Sequence, residues 1–172
     1  MLVLLLVTSS NCQVPEENKS NDFSHFNAGF GFGLDYGGFG VRASYLPIKY
    51  VAIFGSAGYN LLELGYNFGV TGRLLPGKQF CPTLSMMYSY NGVIKISGAS
   101  QYNKTYFGPS VSGGVEWHGF KNANHFFNLE LVVPFRPDAF TSDYNNLKVY
   151  PGLTFQSSPL PIAFSIGYHV GF

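Results

Sequence analysis

The chain has 172 residues, enough for one ordinary domain, and its formal net charge of +1 gives no electrostatic case for a nucleic-acid partner. Only 11% of the residues are charged, against about 25% in typical soluble domains, whereas 46% are hydrophobic and 17% aromatic. No apolar run approaches the ~20 residues of a membrane helix, so this composition fits a soluble α/β enzyme poorly and favours a β-protein whose outer surface does not meet water.

The first segment is a short apolar run, Leu2 to Val7, followed by small and polar residues up to Cys12. The run is too short for a stable buried helix but is typical of a secretory signal peptide. We therefore predict a signal peptide over residues 1–12, with lipidation of Cys12 as the alternative to cleavage after it. No basic residue precedes the run, which is consistent with a true start further upstream.

A polar stretch follows the signal peptide, and we predict a flexible lead-in over residues 13–25. With Cys12 removed, Cys81 is the remaining cysteine. A disulfide framework and a cysteine metal site are therefore not expected, and we predict no metal and no cofactor.

From residue 26 onward, large apolar residues alternate with small or polar residues, which is the period of a β-strand. The first two alternating segments are separated by Asp35–Gly38, a tight hairpin signal. Eight such segments follow one another along the chain, at residues 28–36, 39–46, 51–59, 64–74, 81–90, 106–118, 126–135 and 161–172.

The two faces of these segments differ sharply. One face holds no charged residue and ends in aromatic residues such as Tyr36 and Phe172. The opposite face is mostly Gly and Ser, which would make a poor water-facing surface but suits the cramped interior of a small barrel. We therefore predict a closed antiparallel transmembrane β-barrel of eight strands over residues 26–172, with the apolar face outward. The inward face carries the charged and imidazole side chains Asp35, Arg42, Arg73, Glu116, His118, Glu130 and His169.

A ninth run, residues 147–156, also alternates but contains Pro151 and lies between long connections. A barrel with both termini on one side of the membrane has an even number of strands, so we assign this run to a short hairpin arm outside the bilayer. Ten strands remain the alternative. Periplasmic turns are predicted at 46–49, 75–79 and 119–125, and external connections at 35–38, 60–63, 91–104 and 136–160.

Four inward charges are the candidate lumen residues: Arg42, Arg73, Glu116 and Glu130. Unpaired burial of a charge is costly, so we expect them to form a structural network of ion pairs. The alternative is that the same charges line a channel for protons or small solutes.

The closing segment "FSIGYHVGF" resembles the C-terminal assembly signal of Gram-negative outer-membrane β-barrels, which is carried here by Tyr168, Val170 and Phe172. The run "LDYGGFGVRASYLPIKYVAIFGSAGYNLLELGYNFGV" is likewise similar to a family of small outer-membrane barrels of uncharacterised function. The resemblance implies an outer-membrane location, contact with outer-membrane lipid and lipopolysaccharide, and recognition by the barrel-insertion machinery.

We predict a monomeric, non-catalytic barrel with a structural or adhesive role, presenting the external loops 91–104 and 136–160. A lipid-modifying enzyme is one alternative, for which Ser110, Ser112, His118 and His169 are the candidate groups. Strand geometry places Ser112 ~20 Å from His118, which disfavours a serine–histidine pair. A soluble ligand-binding barrel of lipocalin type is the remaining alternative.

Overall fold

The computed structural model describes residues 24–60, 62–94, 103–120, 124–148 and 160–172. The predicted signal peptide at 1–12 and most of the predicted lead-in lie outside the described residues. The last lead-in residue, His25, already belongs to the fold, because its carbonyl oxygen accepts a hydrogen bond from the Leu46 backbone N–H at 2.7 Å.

The described chain forms eight strands joined into one closed antiparallel barrel, each strand pairing with its neighbours in sequence order. The last strand closes the barrel on the first, with Phe30 opposite Tyr168. The predicted eight-stranded closed barrel is thus confirmed. The strands are β1 Phe26–Gly33, β2 Gly38–Ile48, β3 Val51–Tyr59, β4 Leu64–Arg73, β5 Phe80–Ile94, β6 Lys104–Trp117, β7 His125–Pro134 and β8 Ala163–Gly171.

The alternation of the sequence becomes the two faces of the barrel, as predicted. Bulky apolar side chains point outward, and Phe39 and Met86 are 68% and 69% exposed. Charged side chains point inward, and Arg42 and Glu130 are only 5% and 3% exposed. A shift of register by one residue would exchange these faces, so the hydrophobic pattern fixes the pairing of every strand.

The barrel has two different ends, because antiparallel strands alternate in direction. We call the end that carries the β2–β3, β4–β5 and β6–β7 connections the turn end. We call the opposite end, with the β3–β4, β5–β6 and β7–β8 connections, the cap end. The hairpin predicted at Asp35–Gly38 was expected at the cap end as an external turn, with Leu34 and Tyr36 on the outer face.

That part of the prediction is wrong. Residues Leu34–Tyr36 form a 3-10 turn that bends into the barrel, where Tyr36 is completely buried and Leu34 nearly so. We call residues 34–37 the inner turn. The chain can reverse inward here because Gly33 and Gly37 have φ angles of 134° and 75°, which side chains with a Cβ rarely adopt.

The prediction for the β7–β8 connection also needs correction. The first residues of the run at 147–156, Leu147 and Lys148, belong to a helix, α1 (Asp138–Lys148), and not to a hairpin arm. The rest of that run lies outside the described residues. Within the described ranges, no helix combines the length and apolar character needed to cross a membrane.

The predicted external loop at 91–104 begins later than expected. Strand β5 continues through Ile94 and β6 starts at Lys104, so this hairpin extends the sheet beyond the barrel rim at the cap end. A register irregularity between Tyr90 and Gly92 marks the point where the extension begins.

Candidate functional site

The inner turn places an aromatic ring in the centre of the lumen. The Tyr36 hydroxyl donates a hydrogen bond to the Asn128 side-chain oxygen and lies 2.5 Å from His169 Nε2. The other ring nitrogen of His169 is 3.1 Å from the Asn27 side-chain oxygen. Strands β1, β7 and β8 are therefore linked through the inner turn as well as through their backbone ladders.

Glycines on the inward face make the space for this ring. A Cβ at Gly31 would lie 2.7 Å from a Tyr36 ring carbon, and one at Gly167 would overlap the Tyr36 hydroxyl. The repeat "GFGFG" at 29–33 therefore has a packing reason. Its phenylalanines lie on the outside of the barrel, while Gly31 leaves room for Tyr36, and Gly29 and Gly33 leave room for His169 and Ser165.

A second buried cluster is centred on Arg42. Its Nη1 donates to Asp35 Oδ2 at 2.8 Å and to Glu130 Oε1 at 3.2 Å, and its Nη2 donates to the Thr71 hydroxyl at 3.0 Å. Glu130 also accepts a hydrogen bond from the Ser112 hydroxyl at 2.5 Å. One buried guanidinium thus lies between two buried carboxylates, one of which is supplied by the inner turn.

The other two candidate lumen charges lie apart from this cluster, near the turn end. Arg73 Nη2 is 2.7 Å from Glu116 Oε2, and His118 Nε2 is 3.2 Å from the same oxygen. Arg73 Nη1 also donates to the Lys49 backbone oxygen at 3.2 Å. The four predicted charges therefore form two separate clusters instead of one network.

Sequence reasoning placed Asp35 on the inward face but left it out of the candidate set. The available signal was its place in the alternation, because Asp35 falls on the same face of its segment as the other inward charges. Its assignment to a tight external hairpin concealed its position beside Arg42.

An apolar layer closes the lumen on the cap-end side of Glu130. Val132 follows Glu130 on the inward face of β7, and Met87 follows Ser85 on that of β5. These two side chains pack with Leu34 of the inner turn and with Phe54. Beyond the layer, the hydroxyls of Ser89 and Ser110 are hydrogen-bonded at 2.8 Å. On the cap-end side of the inner turn, the lumen therefore holds packed apolar side chains and hydrogen-bonded hydroxyls.

Helix α1 packs on the extended β5–β6 hairpin, and we call this assembly the cap. Its core cluster combines three helix residues at helical spacing with two strand residues: Phe140, Tyr144, Leu147, Ile94 and Tyr106. A Cβ at Gly92 would lie 2.6 Å from the Phe140 ring, so a glycine is needed where the helix approaches the strand.

Asp143 joins the helix to the hairpin by polar contacts. Its Oδ2 accepts hydrogen bonds from the Tyr106 hydroxyl at 2.5 Å and from Lys104 Nζ at 2.9 Å. These two donors lower the pKa of the Asp143 carboxyl below its ordinary value, with the Tyr106 hydroxyl the larger cause. The cap is therefore held by one ionised carboxylate as well as by its apolar cluster.

This arrangement predicts an acid-sensitive cap. Because the folded-state pKa is depressed, the carboxylate's contribution is present above the ordinary pKa of about 4 and is lost as pH falls through the folded pKa. Amide hydrogen exchange in α1, corrected for its intrinsic pH dependence, should therefore accelerate in acid below about pH 4. Asp143→Asn should show fast exchange at neutral pH and little further change in acid. Glu63→Gln, in the β3–β4 connection, is the matched control; equal acid sensitivity in wild type and Asp143→Asn would contradict the prediction.

The candidate catalytic groups are placed in different contacts. Ser110 bonds Ser89, and Ser112 bonds Glu130. Glu116 is a partner of His118, and Tyr36 is a partner of His169. These contacts do not bring Ser110 or Ser112 together with an imidazole.

The three residues of the predicted assembly signal lie at the end of β8 near the turn end. Tyr168 packs against Phe30 and Phe127, and its hydroxyl is 2.5 Å from His125 Nδ1. Phe172 is 70% exposed, and its backbone N–H donates to the Phe26 oxygen at 2.9 Å. Val170, opposite Ala28 of β1, lies at the seam where the barrel closes.

Within the described ranges, no group of three or more His, Cys, Asp or Glu side chains is arranged to hold a metal ion. No protein-family model matches the chain, and no curated protein is similar enough in sequence to count as a relative.

Proposed function

We propose that the chain is a non-catalytic outer-membrane β-barrel that spans the bilayer and carries a folded cap at the cell surface, in a structural or adhesive role. The observation that carries this proposal is the outer surface of the barrel. It is a belt of large apolar side chains around the strands, and residues such as Phe39, Leu84 and Met86 are more than half exposed. A soluble monomer rarely exposes a contiguous apolar patch larger than a few hundred Å².

The distribution of charge supports the same proposal. Among the described residues, the Lys, Arg, Asp and Glu side chains lie in the lumen, in the connections or in the cap. An Arg or Lys on the lipid side of a barrel costs about 2–4 kcal/mol near the midplane, whereas charges inside the lumen or beyond the bilayer avoid that penalty. The outer belt therefore has the composition that hydrocarbon tails favour.

The filled lumen favours a structural role over a small-solute channel. An eight-stranded barrel encloses only enough space for side chains. Here that space holds the inner turn, the Arg42 cluster and the apolar layer. The cap, raised on the β5–β6 extension, is then the part of the molecule available to lipopolysaccharide or another surface partner. Phe172, exposed at the end of β8, remains available to the insertion machinery.

Met86→Arg tests the membrane assignment. If the belt meets lipid, the variant folded into phospholipid vesicles should lose about 2–4 kcal/mol of its free energy of unfolding in urea. On a water-facing surface, the same change should lie within about 0.5 kcal/mol of wild type. Gln79→Arg, which adds the same charge in the β4–β5 connection, is the control. The folded fraction is measured by heat-modifiable gel mobility.

Cell fractionation completes the test. We expect the wild-type protein in the outer-membrane fraction after an alkaline wash, with the cap accessible to protease on intact cells. Recovery of folded protein in the soluble periplasm, or equal stability of Met86→Arg and Gln79→Arg, would contradict the proposal.

A further inference from the structure

The turn end of the barrel opens into a cavity that the proposed function does not use. Its volume is about 770 Å³, within the range of small-molecule sites. We call it the vestibule. Its walls come from described residues of the three turn-end connections and from the inward faces of the strands below them, and they include Lys49, Arg73, Lys78, His118, Phe120 and Phe126.

The vestibule carries an excess of positive charge. Arg73, nine-tenths buried in its wall, is compensated by Glu116. Lys49 and Lys78, on two separate connections, have no carboxylate partner among the described residues. Lys49 Nζ also lies 5.2 Å from the centre of the Tyr50 ring. Two lysines without a carboxylate partner among the described residues therefore line one partly enclosed volume.

The lumen narrows beyond the vestibule. A second cavity beyond it, between Arg73, Glu116 and the Arg42 cluster, has a volume of about 10 Å³. That is room for about one water molecule. The vestibule is therefore much wider than the space beyond it, which gives it the form of a pocket at the turn end.

We propose that the vestibule binds a small organic anion with two phosphate or carboxylate groups. In this arrangement the ammonium groups of Lys49 and Lys78 each contact one anionic group of the ligand, and Arg73 lies in the same cavity wall. The apolar rings of Phe120 and Phe126 contact the organic part, while the side chains of Asn27, Gln79 and Asn124 supply neutral hydrogen-bonding groups. This inference goes beyond the proposed function and does not depend on it, because the site lies within the barrel itself.

Calorimetric titration of the full chain folded in a zwitterionic detergent tests the site, with pyrophosphate, succinate and acetate as probes. We expect saturable binding of at least one dianion and none of acetate. The ratio of the two dianion affinities tells whether phosphate or carboxylate is preferred. Lys49→Gln together with Lys78→Gln should weaken that binding about tenfold, because two charge contacts are lost.

The control is Lys104→Gln together with Lys148→Gln, which removes the same charge from the cap and should change the affinity by less than about twofold. Folding of each variant is checked by its heat-modifiable mobility. The proposal is overturned if neither dianion binds wild type saturably, or if the two double variants weaken binding equally. If Met86→Arg does not destabilise the protein in vesicles, that result contradicts the membrane assignment only and leaves the outcome of this titration unaffected.

Discussion

Replacing Arg42 by Met should destabilise the barrel by about 3–5 kcal/mol, because it leaves buried carboxylates without their cation. Arg42 Nη1 is the cationic partner of both Asp35 and Glu130, at 2.8 and 3.2 Å, and these two acids are 0% and 3% exposed. The guanidinium also lies 3.7 Å from the centre of the Phe54 ring, so it joins the ion pairs to the apolar layer. The free energy of unfolding in urea measures the loss.

The charge mechanism makes a second, sharper prediction. The triple variant Arg42→Met, Asp35→Asn, Glu130→Gln also replaces the two carboxylates by neutral amides. It should regain most of the stability that Arg42→Met loses. Buried ion pairs replaced as a unit by neutral groups are often close to neutral in stability. If the triple variant is as unstable as the single one, the loss comes from packing and not from unpaired charge. A single variant as stable as wild type would mean that water reaches the two acids.

Arg73→Met provides the positional control. Its partner Glu116 also has His118 Nε2 at 3.2 Å, and both Arg73 and His118 line the open vestibule. Water and the imidazole can therefore compensate the Glu116 carboxylate, and we expect a smaller loss of stability than for Arg42→Met.

The strand pattern could be predicted from the sequence because it depends on local information. Alternation places each side chain on one of two faces, and a slip by one residue would bury Phe39 and expose Arg42. The same rule failed at Tyr36. The alternation of apolar and polar residues continues through residues 34–36 although the strand has ended. Alternation alone therefore cannot show that the chain has left the sheet. The glycines at 37 and 38, both with positive φ, were taken for a hairpin signal and in fact permit the inward reversal.

The pairing of the lumen charges depends on long-range geometry. Arg42 and Glu130 are 88 residues apart and sit on strands that do not pair with each other. Which inward residues meet across the lumen is set by strand tilt and stagger, which a single sequence does not contain. Residue type and face were accessible, but the division into two clusters was not.

The cap helix was missed although it had a local signal. Phe140, Tyr144 and Leu147 recur at helical spacing, and all three are buried against the β5–β6 hairpin. The alternating run that begins at Leu147 indicated a strand instead. An apolar residue such as Leu147 fits both periods, so only the neighbouring turn of helix can decide between them.

Replacing Tyr36 by Ala is the second change with a large expected effect. Removing a fully buried aromatic ring that fills the lumen should cost about 3–5 kcal/mol of unfolding free energy, as for other large-to-small changes in cores. The loss should be near the upper end, because Asn128 and His169 also lose their shared hydrogen-bond partner. Urea unfolding in the same detergent is the measurement. Tyr59→Ala, which removes the same side chain from the exposed face, is the control and should cost little in detergent.

Tyr36→Phe separates packing from hydrogen bonding at this position. The ring still fills the space left by Gly31 and Gly167, so only the polar contacts are lost, and the expected cost is about 1–3 kcal/mol. Tyr36→Ala should therefore be clearly less stable than Tyr36→Phe. If the two variants are equally stable, the ring does not support the barrel walls, and the inner turn is not a packed part of the fold. If Tyr36→Ala resembles Tyr59→Ala, the lumen is already hydrated, and the filled interior that favours a structural role over a channel would have to be given up.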